Sequence, residues 1–89
     1  MQNFGVYIIE SQKNYRYYIG STDNINRRLG EHNLGKVSST RNTKPWILKV
    51  FIECNSLAEA RSYEYRLKKY KRKDILERVV KDKTFPWNH

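Results

Sequence analysis

Phe4-Gly5-Val6-Tyr7-Ile8-Ile9-Glu10-Ser11-Gln12-Lys13-Asn14-Tyr15-Arg16-Tyr17-Tyr18-Ile19 holds two β-branched and aromatic runs split by a polar break, Ser11 to Asn14. Phe4–Ile9 and Tyr15–Ile19 each have the composition of a strand. The break is of hairpin length and cannot hold a crossover helix, so the two strands are expected to pair antiparallel.

Downstream, Ser21-Thr22-Asp23 offers N-caps for a helix over Asn24 to about Asn33, stopped near Gly35. Residues 36–44 are polar and basic and read as a loop ended by Pro45. Trp46-Ile47-Leu48-Lys49-Val50-Phe51-Ile52 follows as a third strand. Its continuous apolar run predicts a strand covered on both faces, central in the sheet. Ser56 with Glu59 three residues on forms a capping box, starting a second helix that runs to about Lys71. A shorter third helix is expected over Lys73–Val80, and the tail from Asp82 to His89 has no assignment. The order β-β-α-β-α(-α) implies a small α/β (α+β) domain, a three-stranded, mostly antiparallel sheet flanked by helices.

The chain has 89 residues, enough for one domain. Eighteen Lys and Arg against nine Asp and Glu give a net charge of +9, so a polyanion is the first partner to consider. A single cysteine, Cys54, excludes an internal disulfide, and two histidines, His32 and His89, leave too few ligands for a structural zinc site. The apolar run Val6-Tyr7-Ile8-Ile9 is far too short for a signal peptide or a membrane span. A soluble cytoplasmic protein, monomeric and without a membrane partner, is expected.

Helical geometry singles out a few polar residues. Advancing about 100° per residue from Ile25, Leu29 falls at roughly 40°, His32 at roughly 340° and Arg28 at roughly 300°. Arg28 and His32 therefore border the core-facing stripe, whereas Arg27 faces away. The plain alternative is a pair of edge residues, with Arg28 snorkelling past the core. In the second helix Glu64 falls between Leu57 and Ala60 at the margin of the apolar face. A carboxylate there is costly unless it is paired or bound to a cation, and Lys68 at i+4 is the ordinary partner.

Arg66-Leu67-Lys68-Lys69-Tyr70-Lys71-Arg72-Lys73 carries six basic residues in eight. Only the seam of Tyr63, Leu67 and Tyr70 is left free, so this is a charged mantle and not a membrane-binding amphipathic face. It serves either as a solvated helix end or, with Lys36, Arg41 and Lys44 of the loop, as a phosphate-binding surface. The expected nucleic-acid contacts are Lys36, Arg41, Lys44, Lys68, Lys69 and Arg72. Of the seven tyrosines, most are expected in the core and rim, with stacking on bases as the rival use.

Gly5-Val6-Tyr7 and Tyr18-Ile19-Gly20 resemble the paired motifs of the GIY-YIG nuclease superfamily. The likeness extends through Tyr18-Ile19-Gly20-Ser21-Thr22-Asp23-Asn24-Ile25-Asn26-Arg27-Arg28-Leu29-Gly30-Glu31-His32-Asn33. Arg28 stands ten positions after the second-motif tyrosine and His32 fourteen after it, the family's spacing. Ala60-Arg61-Ser62-Tyr63-Glu64-Tyr65-Arg66-Leu67-Lys68-Lys69 looks like the family's metal-binding helix, and Lys44-Pro45-Trp46 resembles the entry to the third strand in the small single-domain branch. The resemblance spans residues 4–73 of a single 1–89 domain, leaving 74–89 as a basic helical extension. The first motif departs by one apolar residue, and a further asparagine present in several relatives has no matching position.

The resemblance implies a metal-dependent endonuclease that hydrolyses phosphodiester bonds of DNA with one Mg²⁺ or Mn²⁺ ion. Tyr7 or Tyr18 would orient or deprotonate the attacking water, with Tyr7 preferred. Arg28 would hold the scissile phosphate, His32 would assist proton transfer, and Glu64 would bind the metal. Two other readings remain: a non-catalytic nucleic-acid binder of the same fold, and a basic protein-interaction domain.

Overall fold

Ser11 makes the first turn. In the computed structural model, which describes residues 3–88, its hydroxyl accepts from the backbone amides of Lys13 (3.0 Å) and Asn14 (3.1 Å). The chain then reverses through Tyr15, whose φ of 62° is left-handed. Strand β1 covers Gly5–Ser11 and β2 covers Tyr17–Thr22, paired antiparallel with Tyr7 opposite Gly20 and Ile9 opposite Tyr18. Tyr15, expected as the first residue of the second strand, belongs to the turn and is 62% exposed. Met1, Gln2 and His89, the ends of the expected 1–89 domain, lie outside the described residues.

Helix α1 covers Ile25–Asn33, capped by the Asn24 side chain, which accepts from the Arg27 amide at 3.0 Å. The loop expected at 36–44 contains one 3₁₀ turn, Arg41–Thr43. Strand β3 covers Trp46–Glu53, α2 covers Leu57–Lys68 and α3 covers Lys73–Asp82. The Ser56 hydroxyl accepts from the Glu59 amide at 3.0 Å, and the Glu59 carboxylate accepts from the Asn55 amide. Helix α2 ends three residues short of the expected Lys71. The amides of Lys69 and Tyr70 bond the carbonyls of Arg66 and Leu67 three residues back, tightening the final turn and bringing Tyr70 against the core.

The sheet order is β2-β1-β3, all antiparallel. The expectation of a central third strand is corrected: β1 is central and β3 is an edge. In β1 every residue but Glu10 is buried, whereas Ile47 and Leu48 of β3 are 42% and 39% exposed. An apolar run shows that a strand can be covered on both faces, not that it is, and here the edge strand carries surplus apolar residues.

Alternation along β1 sends its side chains to opposite faces. Val6 and Ile8 pack with Ile19, Val50, Ala60 and Leu67 under α2 and α3. Tyr7 and Ile9 pack with Trp46, Tyr18, Ile25 and Leu29 under α1. Beyond the motif-bearing stretch, Leu76, Val79 and Phe85 complete the α2–α3 core. The Phe85 ring stacks on Trp87 (4.9 Å between centroids, 2° between planes), and Tyr63 meets both rings edge-on.

Candidate active site

Tyr7 stands in the middle strand and projects toward α1. Its space comes from Gly20, its cross-strand partner: a Cβ on Gly20 would run into the Tyr7 ring and hydroxyl. The helical spacing that sets His32 beside the apolar stripe brings its imidazole down onto this phenol. Tyr7 Oη lies 2.8 Å from His32 Nε2, with both residues essentially fully buried. Tyr18 approaches His32 edge-on at 5.1 Å between centroids and Trp46 at 6.1 Å.

Arg28 sits one turn earlier, half-buried, with a guanidinium nitrogen 3.0 Å from Glu31 Oε1. Arg27 faces away, as its position on the helix requires, and pairs with Asp23 at 2.7 Å. Burial pushes the Tyr7 phenol up to about 12, against the opposing hydrogen bond and charge of Arg28; the charges of Tyr18 and Glu64 add to the rise. Burial, then the charge of Arg28, lowers His32 to about 4, offset in part by Glu31. At neutral pH the pair is therefore a neutral phenol against a neutral imidazole, a hydrogen bond and not an ion pair.

Glu64 belongs to α2, which packs on the other face of the sheet, and it reaches the free edge of β2. Ser21 Oγ donates to its Oε1 at 2.5 Å and Lys68 Nζ lies 2.6 Å from Oε2. The same Lys68 ammonium stands 6.0 Å from the Tyr18 ring centroid. Tyr7, Tyr18, Arg28 and His32 thus form one contiguous group under α1, and Glu64 stands on the α2 side, brought toward it at the β2 edge by Ser21 and Lys68. Among the described residues no hydrogen bond links Glu64 to either phenol, and the i+4 partner expected for an ordinary helix-edge carboxylate is present.

Among the described residues no group of three or more His, Cys, Asp or Glu gathers. A lone half-buried carboxylate does not suit a zinc or calcium cage. It does suit Mg²⁺, which keeps most of its waters and takes one or two carboxylates.

The basic residues named from sequence are all exposed. Both basic segments reach the β1–β2 turn: Lys13 Nζ donates to the Asn42 carbonyl (3.1 Å) and Lys73 Nζ to the Tyr15 carbonyl (2.9 Å). Lys36, Arg41 and Lys44 lie on the first segment, with Arg41 and Lys44 both folded against Gly35. Of the second segment, Lys68 is paired with Glu64 and Arg72 is held bidentately by Asp74 (3.1 and 2.6 Å). The Lys69 ammonium sits 4.6 Å from the Tyr65 ring centroid.

Sequence reading missed three supporting side chains. Thr40, inside the apparent loop, is fully buried with its hydroxyl 2.8 Å from His32 Nδ1. Asn33 holds both backbone groups of Trp46, accepting from its amide at 2.6 Å and donating to its carbonyl at 3.0 Å. Ser21, read as a helix cap, instead fixes Glu64. Only Ser21 carried a usable signal: its neighbour Gly20 faces α1, so alternation turns Ser21 toward α2.

A family model of the GIY-YIG catalytic domain matches residues 3–84. The chain belongs to the GIY-YIG family. GIY-YIG domains are nucleases, which places the protein in a family that acts on nucleic acid. A UPF0213 protein of Halobacterium salinarum is 38% identical over 68 residues, covering 75% of this chain and 87% of its own. A UPF0213 protein of Staphylococcus haemolyticus is 32% identical over 75 residues, covering 83% and 90%. No solved structure gives a significant match. The three-stranded antiparallel sheet with helices on both faces agrees with the GIY-YIG fold, and among the described residues no helix is long and apolar enough to cross a membrane.

Proposed function

We propose that the protein is a divalent-metal-dependent endonuclease that hydrolyses phosphodiester bonds in DNA, with Tyr7, Tyr18, Arg28, His32 and Glu64 as its catalytic residues. The observation that carries this is the buried Tyr7–His32 hydrogen bond of 2.8 Å beside Arg28. A guanidinium, two phenols and an imidazole gathered at one place, with the Tyr7 phenol and the His32 imidazole both displaced from their ordinary pKa values, are what functional sites collect.

Hydrolysis needs an activated water and stabilisation of the charge that grows on phosphorus. Arg28 would exchange Glu31 for the scissile phosphate, whose planar oxygens match the guanidinium fork. With a phenol raised to about 12, Tyr7 is no free phenolate at neutral pH. It acts as base by taking a proton from water while passing its own to His32 Nε2, and a neutral imidazole can accept it. Tyr18 borders the same space and orients the water. Glu64 would hold one Mg²⁺ or Mn²⁺, which when bound supplies positive charge toward the phosphate and the departing oxygen. Lys36, Arg41, Lys44, Lys68, Lys69 and Arg72 would bind the flanking phosphates, Lys68 and Arg72 after leaving their carboxylate partners.

A second reading, a nucleic-acid binder without turnover, draws on the Lys68–Glu64 ion pair, which already neutralises the carboxylate. Nicking of supercoiled plasmid in Mg²⁺ or Mn²⁺ separates the two, with linear, flapped and single-stranded DNA and RNA as further substrates. Metal-dependent nicking lost in Glu64→Ala, with the fold kept, supports the enzyme. Binding without cleavage of any of these substrates supports the binder, and an undiminished rate in EDTA removes the metal from the mechanism.

A further inference from the structure

Thr40 lies outside the motifs, yet it closes a line of buried polar atoms that begins at Tyr7. Tyr7 Oη is 2.8 Å from His32 Nε2, and His32 Nδ1 is 2.8 Å from Thr40 Oγ1. Thr40 Oγ1 is 3.4 Å from the Val37 carbonyl oxygen. Tyr7, His32 and Thr40 are all at most 1% exposed, so the partners along the line are supplied mainly by the protein itself.

The two ends of this line decide its direction. Val37 ends it with a carbonyl, which only accepts. At the other end the charged neighbour is the Arg28 guanidinium, which can only donate, its side-chain bond going to Glu31, and so offers the phenol no acceptor. Among the described residues the Tyr7 hydroxyl has no acceptor other than His32 Nε2. If every donor is to be satisfied, Tyr7 O–H donates to Nε2, Nδ1–H donates to Thr40 Oγ1, and Thr40 O–H donates to Val37. In the reverse order Nε2–H would point at the phenol oxygen and the Tyr7 hydroxyl proton would have no acceptor among the described residues.

We propose that Thr40 is a positioning residue that fixes His32 as its Nδ1–H tautomer, leaving the Nε2 lone pair to receive the Tyr7 proton. Thr40 is itself held from behind: its carbonyl accepts from Trp46 Nε1 at 3.0 Å and from the Thr43 amide at 3.2 Å. Trp46 is clamped in turn by Asn33 on α1, the helix that carries His32. Ring and hydroxyl therefore keep their spacing as one unit, the arrangement by which a partner on one imidazole nitrogen sets the chemistry of the other. The catalytic consequence rests on the nuclease reading, whereas the tautomer does not.

The experiment is long-range ¹H–¹⁵N correlation of histidine-labelled full-length protein at neutral pH, in a His89→Gln background that leaves His32 as the sole imidazole. The expected pattern is Nδ1–H in the parent and in Thr40→Ser, and a shift toward Nε2–H in Thr40→Val, which keeps the shape and lacks the hydroxyl. Plasmid nicking should fall about 10- to 100-fold in Thr40→Val and recover in Thr40→Ser, part of the roughly 10²–10⁴ that a positioned acid–base group supplies. An Nε2–H parent, or a Thr40→Val protein that keeps Nδ1–H, overturns the proposal. So does a changed tautomer with an unchanged nicking rate. A parent that nicks nothing yet shows the Nδ1–H pattern, lost in Thr40→Val, removes the nuclease reading and supports the tautomer assignment.

Discussion

Gly20 lies directly across the β1–β2 ladder from Tyr7, and the Tyr7 phenol fills the volume that a side chain at Gly20 would need. The glycine of one motif is thus the mould for the tyrosine of the other. Gly20→Ala should destabilise the protein by about 1–3 kcal/mol through overpacking and displace the phenol from His32. Urea melts check the first effect. In a Tyr7→Ala background the penalty at position 20 should largely vanish, because the clash has no second partner.

Tyr7→Phe removes one oxygen from the same place. It leaves His32 Nε2 buried without a partner, so a loss of about 1–3 kcal/mol is expected in the same melts. Nicking should fall by roughly 10²–10⁴, the contribution of a positioned acid–base group. Retention of near-full activity would assign the water-activating role elsewhere, with Tyr18 the next candidate.

His32 makes stability depend on pH in one direction. Its folded value is about 4 against 6.5 for the free side chain, so between these the unfolded chain binds a proton that the folded chain refuses. Stability is full above about 6.5, falls as pH is lowered through that window, and levels off below 4, with a total on the order of 3 kcal/mol. Thermal melts between these limits should show the slope, and His32→Gln should flatten it.

Affinity for DNA should depend on salt. If about five phosphates are neutralised, log affinity falls against log salt with a slope of roughly −4 to −5. Replacing Lys36, Arg41 or Lys44 by Ala should each lower the slope by about one, measured by fluorescence anisotropy, without moving the Tyr7–His32 geometry. A slope near zero would point to a partner other than a phosphate backbone.

How much of this was legible depends on how local each signal was. Strand composition, the polar break, the Ser56–Glu59 box and the helical spacing of Arg28 and His32 are short-range patterns, and each corresponds to what the structure contains. Which strand is central is a long-range matter, and the apolar run of Trp46–Ile52 pointed to the wrong one. Phe85 and Trp87 could not be placed from sequence, because nothing near them specifies that they seal the core against Tyr63. Thr40 was invisible for the same reason: between Ser39 and Arg41 it looks like any loop threonine, and only the fold sets it under His32. Glu64 was marked by its place on the helix, but its attachment to Ser21 depends on strand alternation across the sheet.

That alternation in β2 ties the chemistry to the folding of the chain. Tyr18 and Gly20 face α1, while Ile19 and Ser21 face α2. A slip of one residue against β1 would exchange the two sets, setting Ser21 beneath the phenol and withdrawing Ile19 from the hydrophobic interior. If the nuclease reading holds, a misaligned chain lacks the assembled site, and any nicking rate of a preparation should count its correctly threaded molecules.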